Sequence, residues 1–345
     1  MKNLFVVFLT SIPLLGSDFT LSSYNCGGLS EDYDYIRAVA MHKIMQERHN
    51  QEPELMAEIE EIERAALQGR AFDQHRFLEI VAPPANEGSP NTPWYALSTK
   101  MVTDYRTRPV QIMDKEVREI LVDQVNDLTE GDNLTEARRV MARRIFAHEL
   151  KYDILTLQET DYLDATLFPD HMEALFSPHH NGVVWNVNLF DLVEATEVDR
   201  DFCVKLQNRK TRETILVVSG HITGCNPFVG GDSEKGDQQL HAILDYLNAA
   251  QADIKVIGMD SNVTATHPRL ALLIEAGFVL DREKYLEPTC TNPWQILNTR
   301  LDWIAVKGAT ISNIPVLGVG LNSPQTNMSD HKPIAARITK SPCPA

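Results

Sequence analysis

Eight polar side chains with the chemistry to bind a cation or move a proton lie at the ends of short apolar runs. They are Asn25, Glu159, His221, Asp260, Asn262, Asp302, Asp330 and His331. Carboxylate and amide oxygens without cysteine partners favour a hard cation, so the set predicts a site for Mg²⁺, with Mn²⁺ as the alternative. Two histidines beside carboxylates would also suit zinc, but no His-x-x-x-His spacing supports a zinc site.

Phosphate-ester hydrolysis is a reaction that such a set could perform. It needs a Lewis acid on a phosphoryl oxygen, an oriented water and help for the leaving group. Glu159 can hold the cation, Asp260 can accept the proton of the water, and Asn262 can orient that water or a phosphate oxygen. Asp302 is the predicted partner of His331, because a neighbouring carboxylate fixes the imidazole tautomer and raises its pKa.

Short strands and a few helices must position these residues. Period-2 apolar runs predict strands at Phe19–Tyr24, Tyr152–Leu157, Gly182–Leu192, Phe202–Leu206, Thr214–Ser219, Ile254–Ile257, Leu301–Val306 and Ile334–Ile338. Apolar spacings of three and four predict helices at Ile36–Arg48, Glu54–Gln68, Val110–Leu128, Leu134–Leu150, Gln238–Gln251 and Leu270–Ala276. The regular βαβ alternation of a parallel sheet is absent, so the pattern predicts an α+β sandwich.

Length and charge limit the class of protein. A chain of 345 residues forms one large domain or two ordinary ones. Its formal net charge of −16 gives no long-range attraction for nucleic acid or an anionic membrane. A bound divalent cation can nevertheless dominate the local field, so phosphate chemistry is not excluded.

The N-terminal residues 1–17 differ from the rest of the chain. Lys2 precedes an apolar run from Leu4 to Leu15, and Gly16 and Ser17 follow it. This order is typical of a signal peptide, and the run is too short to span a bilayer. We therefore expect export or secretion, with a buried strand in a cytoplasmic protein as the alternative. Five cysteines, at positions 26, 203, 225, 290 and 343, have no metal-type spacing.

In their order along the chain, the motifs resemble the endonuclease/exonuclease/phosphatase superfamily, which has the DNase-I-like fold. The motifs are Asn25, Gln158-Glu159, His221, Asp260-Ser261-Asn262, Asp302 and Ser329-Asp330-His331. The resemblance covers about Phe19–Asn25 and Leu134–Ile338. It implies a four-layered α/β sandwich of two packed sheets and a Mg²⁺-dependent phosphoesterase in residues 18–345.

The resemblance also implies a role for each motif residue. Glu159 would be the metal ligand, with Asn25 and Asp330 beside it. The catalytic residues would be His221, Asp260, Asn262, Asp302 and His331. Of these, Asp260 and Asn262 would handle the nucleophilic water, and Asp302 and His331 would form a dyad. His221 and Asn262 would contact the substrate, and the carboxylate that supports His221 is not evident in the sequence.

The chain departs from the superfamily pattern between its first strand and Gln158-Glu159. Residues from about 32 to 132 form an insertion with a helical pattern, giving a sandwich with a large helical insertion. Long insertions at the edge of an active site are more often functional than not. This one could be a substrate lid, a docking unit for a protein partner or a simple elaboration.

Several substrate classes remain open. His221 argues against the abasic-site endonuclease branch, which generally has a tyrosine at that position. We place a nuclease acting on DNA or RNA first, with a sphingomyelinase-like phospholipase or another phosphatase as alternatives. Lys205, Arg209, Lys210 and Arg212 form the one predicted hairpin with basic density. A catalytically silent scaffold that binds a protein partner is the non-enzymatic alternative.

Overall fold

The computed structural model describes residues 16–27, 53–67, 134–224, 234–265, 267–281, 287–292, 297–321 and 326–340. The strands are β1 (Asp18–Asn25), β2 (Ile154–Gln158), β3 (Met172–Phe176), β4 (Gly182–Asn186), β5 (Phe190–Val198), β6 (Asp201–Asn208), β7 (Thr214–His221), β8 (Ile254–Asp260), β9 (Val279–Leu280), β10 (Cys290–Asn292), β11 (Leu297–Thr299), β12 (Asp302–Lys307), β13 (Thr310–Ile314) and β14 (Ile334–Thr339). The α-helices are α1 (Pro53–Leu67), α2 (Leu134–Arg144), α3 (Glu234–Ala249) and α4 (Pro268–Glu275). Helix α2 continues as a π-helical turn over Ile145–Glu149, and Ala165–Leu167 forms a 3₁₀ turn.

The strands form two six-stranded sheets and a separate two-stranded ribbon. The first sheet has the order β13-β14-β1-β2-β4-β3, the second has the order β5-β6-β7-β8-β12-β9, and the ribbon pairs β10 with β11. The pairs β1–β2 and β7–β8 are parallel, and the other described neighbours are antiparallel. Both sheets are therefore mixed, and the predicted α+β class is confirmed.

Three apolar clusters separate four layers. Leu21, Trp185 and Val217 lie in the cluster between the two sheets. Successive residues of a strand point to opposite faces of the sheet. In each strand, the residues that alternate with those of the central cluster therefore face the helices. Leu155 on the first sheet packs in a cluster with α2, and Val218 on the second sheet packs in a cluster with α3 and α4. The order helix, sheet, sheet, helix confirms the predicted four-layered sandwich.

Two predicted elements are interrupted in the structure. The expected strand over residues 182–192 is divided by a turn, in which the Asn186 side chain accepts a hydrogen bond from the backbone N–H of Asn188 at 2.9 Å. The expected helix Leu134–Leu150 changes to π-helical hydrogen bonding after Arg144. In addition, β3, β9, β10, β11 and β13 were not predicted, and all of them are short.

Some predictions fall on residues outside the described ranges. These are the signal peptide up to residue 15, the helices at 36–48 and 110–128, most of the helical insertion at 32–132, and two of the cysteines. The predicted helix at Glu54–Gln68 is described as α1. Export, a protein partner at the insertion and the division into domains stay predictions. No described helix is both long and apolar enough to cross a membrane.

Candidate active site

Sheet register aligns three of the predicted residues in one row across the second sheet. His221 is the last residue of β7 and pairs in parallel register with Asp260, the last residue of β8. Asp302 is the first residue of β12 and pairs with Asp260 from the antiparallel side. Neighbouring strands lie about 4.8 Å apart, so the pairing alone brings these side chains together. We call His221, Asp260 and Asp302 the strand row.

The first sheet delivers Asn25 and Glu159 to the same edge. Asn25 ends β1 and pairs in parallel register with Gln158, which ends β2. Glu159 follows at once with a φ of 55°. The left-handed conformation costs a residue other than glycine about 1–3 kcal/mol, and such strained residues cluster at functional sites. It turns the chain out of the strand directly after the buried Gln158.

Polar contacts between the sheets fix their spacing near the site. The Gln158 side-chain nitrogen donates to the Ser219 hydroxyl at 3.1 Å and to the Gly258 carbonyl at 3.3 Å. A Cβ atom at Gly258 would lie 2.0 Å from the Thr156 hydroxyl oxygen. Glycine is therefore required where the second sheet approaches the first, because any larger residue would force the two sheets apart.

Asn25 connects the carboxylates of the two sheets. Its Nδ2 donates to Glu159 Oε1 and to Asp260 Oδ2, both at 3.0 Å. Its Oδ1 accepts a hydrogen bond from the backbone N–H of Gly27 at 3.0 Å. In this arrangement Asn25 positions the two carboxylates and directs its N–H groups toward them. A role for Asn25 as a metal ligand stays a prediction.

Asp260 Oδ2 is the atom on which the site converges. Besides Asn25, the Asn262 side chain donates to it at 3.1 Å, and the Nε2 atoms of His221 and His331 lie 3.6 Å and 3.8 Å from it. The residue is only 1% exposed. Burial raises the pKa of Asp260 above its usual range, and Asp302 adds to this effect, whereas the charges of His331 and His221 oppose it.

Asn262 closes the turn that follows β8. Its backbone N–H donates to Asp260 Oδ1 at 2.8 Å, and its side chain also donates to the Ile222 carbonyl at 3.1 Å. It has a φ of 52°, a conformation that asparagine adopts more readily than most residues. The amide is thus held beside Asp260, where the sequence predicts that it orients water or phosphate.

His331 and Asp302 form the predicted pair. His331 Nδ1 lies 2.8 Å from Asp302 Oδ2, and both residues are buried. Burial alone would lower the pKa of His331, but the Asp302 carboxylate, assisted by Cys290 and Asp260, holds that pKa well above its usual range. Asp302 therefore favours the protonated, positively charged form of the imidazole.

A loop positions His331, and no strand ends there. The expectation that every motif lies at the end of a strand is wrong for Asp330 and His331, which lie in the loop before β14. Asn327 holds this loop: its Oδ1 accepts from the Ser329 backbone N–H at 3.1 Å and from the Tyr24 hydroxyl, and its Nδ2 donates to the His331 carbonyl at 2.7 Å. We call residues 326–333 the loop arm.

Asp330 lies in a different cluster from Glu159. Its carboxylate belongs to a group with Cys290 and His331, whose donor atoms lie within 4.8 Å of one another. Glu159 belongs to a second group of the same kind, with His221 and Asp260. The structure therefore brings Glu159 and Asn25 together but groups Asp330 with other residues, and the predicted metal set is only partly assembled.

Asp201 is a buried carboxylate beside His221 that the sequence did not reveal. Its Oδ1 accepts from the His221 backbone N–H at 2.9 Å, and its Oδ2 accepts from the Gln239 side chain at 2.8 Å. Burial raises the pKa of Asp201 to about 7, against the opposing hydrogen bonds from Gln239 and His221. In sequence, Asp199-Arg200-Asp201 has the composition of a polar turn. The one signal was its position at the start of an apolar strand.

Arg138 lies in the buried part of α2, although the arginines of this helix (Arg138, Arg139, Arg143 and Arg144) predict a basic outer face. It is 1% exposed, and its guanidinium donates to the Cys26 carbonyl at 2.9 Å and to the Gly27 carbonyl at 2.5 Å. The Tyr162 ring lies 4.1 Å from the guanidinium carbon, and the Tyr162 hydroxyl donates to Cys26 at 2.8 Å. Arg138 therefore stabilises the turn that follows Asn25.

The donor atoms at this edge suit a divalent cation. Glu159 and Asp260 offer carboxylate oxygens, which hard cations prefer, and His221 offers a nitrogen that Mn²⁺ also accepts. Asp302 Oδ1 is buried without a hydrogen-bond partner among the described residues. This concentration of buried negative charge fits a cation bound at Glu159, whose carboxylate Asn25 would position.

Two six-stranded sheets packed between helices, with the polar motifs at one common edge, are the arrangement that the resemblance implies. The chain has the DNase-I-like fold. The resemblance to the endonuclease/exonuclease/phosphatase superfamily is thus confirmed at the level of the fold.

Comparison with known proteins gives structural matches alone. No family model matches the chain, and no curated protein matches it. An endonuclease/exonuclease/phosphatase from Bacteroides vulgatus has 16% identity and a TM-score of 0.47 over 61% of this chain and 92% of its own. The mannosyl-6-phosphatase of Bacteroides thetaiotaomicron has 16% identity and a TM-score of 0.45 over 60% and 92%. D. rerio TDP2 in complex with a single-strand DNA product has 13% identity and a TM-score of 0.42 over 63% and 95%.

Proposed function

We propose that the chain is a metal-dependent phosphodiesterase. Among the candidate substrates, we place nucleic acid first. The observation that carries the proposal is the convergence on Asp260 Oδ2. Two side-chain amides and two imidazoles surround this buried oxygen, and burial raises the pKa of its carboxyl group. The arrangement combines a proton acceptor with groups that can bind phosphate.

Asp260 and Asn262 act on the water in this proposal. Asp260 Oδ2 accepts the proton while the water oxygen forms its bond to phosphorus and the bond to the leaving oxygen breaks. The Asn262 amide, fixed at 3.1 Å from Asp260 Oδ2, orients that water or a phosphate oxygen. Because both side chains are held by backbone contacts, the geometry needs little reorganisation during the reaction.

The two histidines act on the phosphate. His331 is kept protonated by Asp302, so it supplies a positive charge where negative charge develops. His221, with its Nε2 3.3 Å from Glu159, contacts the phosphate and can return a proton on the leaving-group side. Glu159 would hold Mg²⁺ or Mn²⁺, which when bound polarises a phosphoryl oxygen and neutralises its charge.

The surface at the end of the second sheet opposite His221 does not favour one substrate class over another. The basic turn at Arg209 and Arg212 precedes β7, about 23 Å along the strand from His221. Both arginines also pair with Asp191. The exposed apolar side chains of Leu189 and Leu192 lie at this same end. Neither nucleic acid nor lipid is therefore favoured by these surfaces.

The proposal is tested by hydrolysis of bis-p-nitrophenyl phosphate after treatment with chelator and stepwise return of Mg²⁺. We expect turnover to require the cation. Glu159→Gln should raise the half-saturating Mg²⁺ concentration by at least roughly 10–100-fold, since loss of a mere supporting group already has this effect. Glu173→Gln, at an exposed position of β3, is the matched control and should behave like wild type.

Turnover without metal, or the same Mg²⁺ dependence in Glu159→Gln and wild type, would contradict the mechanism. A panel of plasmid DNA, RNA, sphingomyelin and a sugar phosphate then assigns the substrate class. Preference for sphingomyelin or for the monoester would replace the nuclease assignment. Absence of turnover on every substrate would favour the partner-binding scaffold.

A further inference from the structure

Cys290 differs from the other described buried cysteines in its surroundings. Cys26 and Cys203 lie within apolar clusters, whereas Cys290 belongs to none of the three. Its thiol sulfur lies within 4.8 Å of side-chain donor atoms of both Asp330 and His331. A buried thiol among polar groups is not explained by apolar packing.

Backbone contacts hold this thiol against the loop arm. Cys290 forms an isolated antiparallel bridge with His331, and the Lys332 backbone N–H donates to the Thr289 carbonyl at 2.6 Å. The Thr289 hydroxyl accepts from the backbone N–H groups of Leu301 and Asp302, at 3.0 Å and 3.1 Å. The thiol, the imidazole and the Asp302 carboxylate are therefore fixed relative to one another.

The donor set is that of a zinc ligand cluster. The donor atoms of Cys290, Asp330 and His331 lie within 4.8 Å of one another. Bonds from one ion to sulfur, nitrogen and oxygen are about 2.0–2.3 Å long, so the three side chains would turn toward a shared ion to bind it. Because Asp302 occupies His331 Nδ1, Nε2 is the nitrogen left for a metal. A carboxylate behind a ligating histidine is the usual support in zinc sites.

We propose that Cys290, Asp330 and His331 form a second metal site, which takes a thiophilic divalent cation such as zinc and blocks hydrolysis by occupying His331 Nε2. Sulfur and nitrogen ligands separate this site from the oxygen-rich set at Glu159, which suits Mg²⁺. Binding displaces the thiol proton and the Nε2 proton of the protonated His331, and both protons pass to solvent. Metal binding stands independently of the proposed function, and only the inhibition rests on it.

Cobalt(II) absorption tests the binding without any turnover. We expect a thiolate-to-cobalt charge-transfer band in wild type that zinc abolishes by displacement. Cys290→Ser should lose the band, and Cys203→Ser, which alters a buried cysteine in an apolar cluster, should keep it. Zinc affinity should fall by at least roughly 10–100-fold in Cys290→Ser. No such band in wild type, or an equal band in Cys290→Ser, would overturn the proposal.

Asp330→Asn provides a second variant if Cys290→Ser does not fold by near-UV circular dichroism. It retains the thiol, so the band should persist with weaker cobalt affinity, and unchanged affinity would count against the site. In the diesterase assay at saturating Mg²⁺, zinc should inhibit wild type and Cys203→Ser but spare Cys290→Ser. Equal zinc inhibition of all three would overturn the blocking of His331 and leave the binding result to stand alone.

Discussion

The strand row and the loop arm contribute to one site by different physical means. His221, Asp260 and Asp302 are aligned by backbone pairing between β7, β8 and β12, which continues along the whole sheet. His331 depends on side-chain hydrogen bonds, chiefly those of Asn327. The strand row should therefore keep its geometry when a neighbouring contact is lost. The loop arm should lose its geometry when a single supporting residue is substituted.

The largest expected effect is that of Asp260→Asn, which removes the proton acceptor of the strand row. We expect kcat/KM on bis-p-nitrophenyl phosphate to fall by roughly 10²–10⁴-fold, the usual contribution of general acid–base catalysis. The sheet pairing should be retained, because the backbone of β8 is unchanged, and near-UV circular dichroism checks this. Asp245→Asn, at an exposed position of α3, is the control. Wild-type activity in Asp260→Asn would exclude it as the base.

Asp302→Asn breaks the connection between the strand row and the loop arm. Removing the carboxylate lowers the pKa of His331, so the alkaline limb of the pH–rate profile should move to lower pH by roughly 1–3 units. The raised pKa of His331 also stabilises the folded state toward acidic pH. Because the folded pKa of His331 lies above 6.5, this contribution is complete below that pH and is lost as pH rises through the folded pKa.

Urea unfolding of Asp302→Asn should therefore show a smaller loss of stability toward alkaline pH than wild type does. An alkaline limb that stays in place would show that His331 is not the group that titrates.

Asn327→Ala tests the sensitivity of the loop arm. It removes bonds to the Ser329 backbone and to the His331 carbonyl and leaves the strand row untouched. We expect a loss of roughly 1–3 kcal/mol in unfolding free energy. Because a displacement of about 1 Å can cost 10²-fold in rate, kcat should fall by roughly 10–100-fold. Asn248→Ala, an exposed position on α3, should change neither quantity. Unchanged kcat in Asn327→Ala would mean that the loop arm is positioned by other contacts.

Tyr24→Phe should have the smallest effect. It keeps the buried ring and removes the hydroxyl that donates to Asn327. One hydrogen bond contributes about 1 kcal/mol, so urea unfolding should show a loss of that order with little change in kcat. A larger loss of activity in Tyr24→Phe than in Asn327→Ala would show that Tyr24 supports the loop arm more than Asn327 does.

The strand row was predictable from sequence because apolar runs of β7, β8 and β12 are visible, and polar residues at their termini must meet once the strands pair. The strand and helix pattern predicts an α+β sandwich, and the four layers were expected from the resemblance to the superfamily. Asp201, Asn327 and Cys290 were not predictable. They act through backbone groups or through residues distant in the chain, and no periodicity marks them. Arg138 was misplaced because its helical spacing does not reveal the loop carbonyls that bury it.

A double-mutant cycle of His221→Gln and His331→Gln tests most directly whether the two regions form one site. kcat/KM on bis-p-nitrophenyl phosphate would be measured for wild type, both single variants and the double variant. If both imidazoles act on one phosphate beside Asp260, the double variant should be about as active as the weaker single variant, because residues that act as a unit are strongly non-additive. If the two losses in transition-state free energy add in the double variant, the account is contradicted, and the loop arm and the strand row act independently.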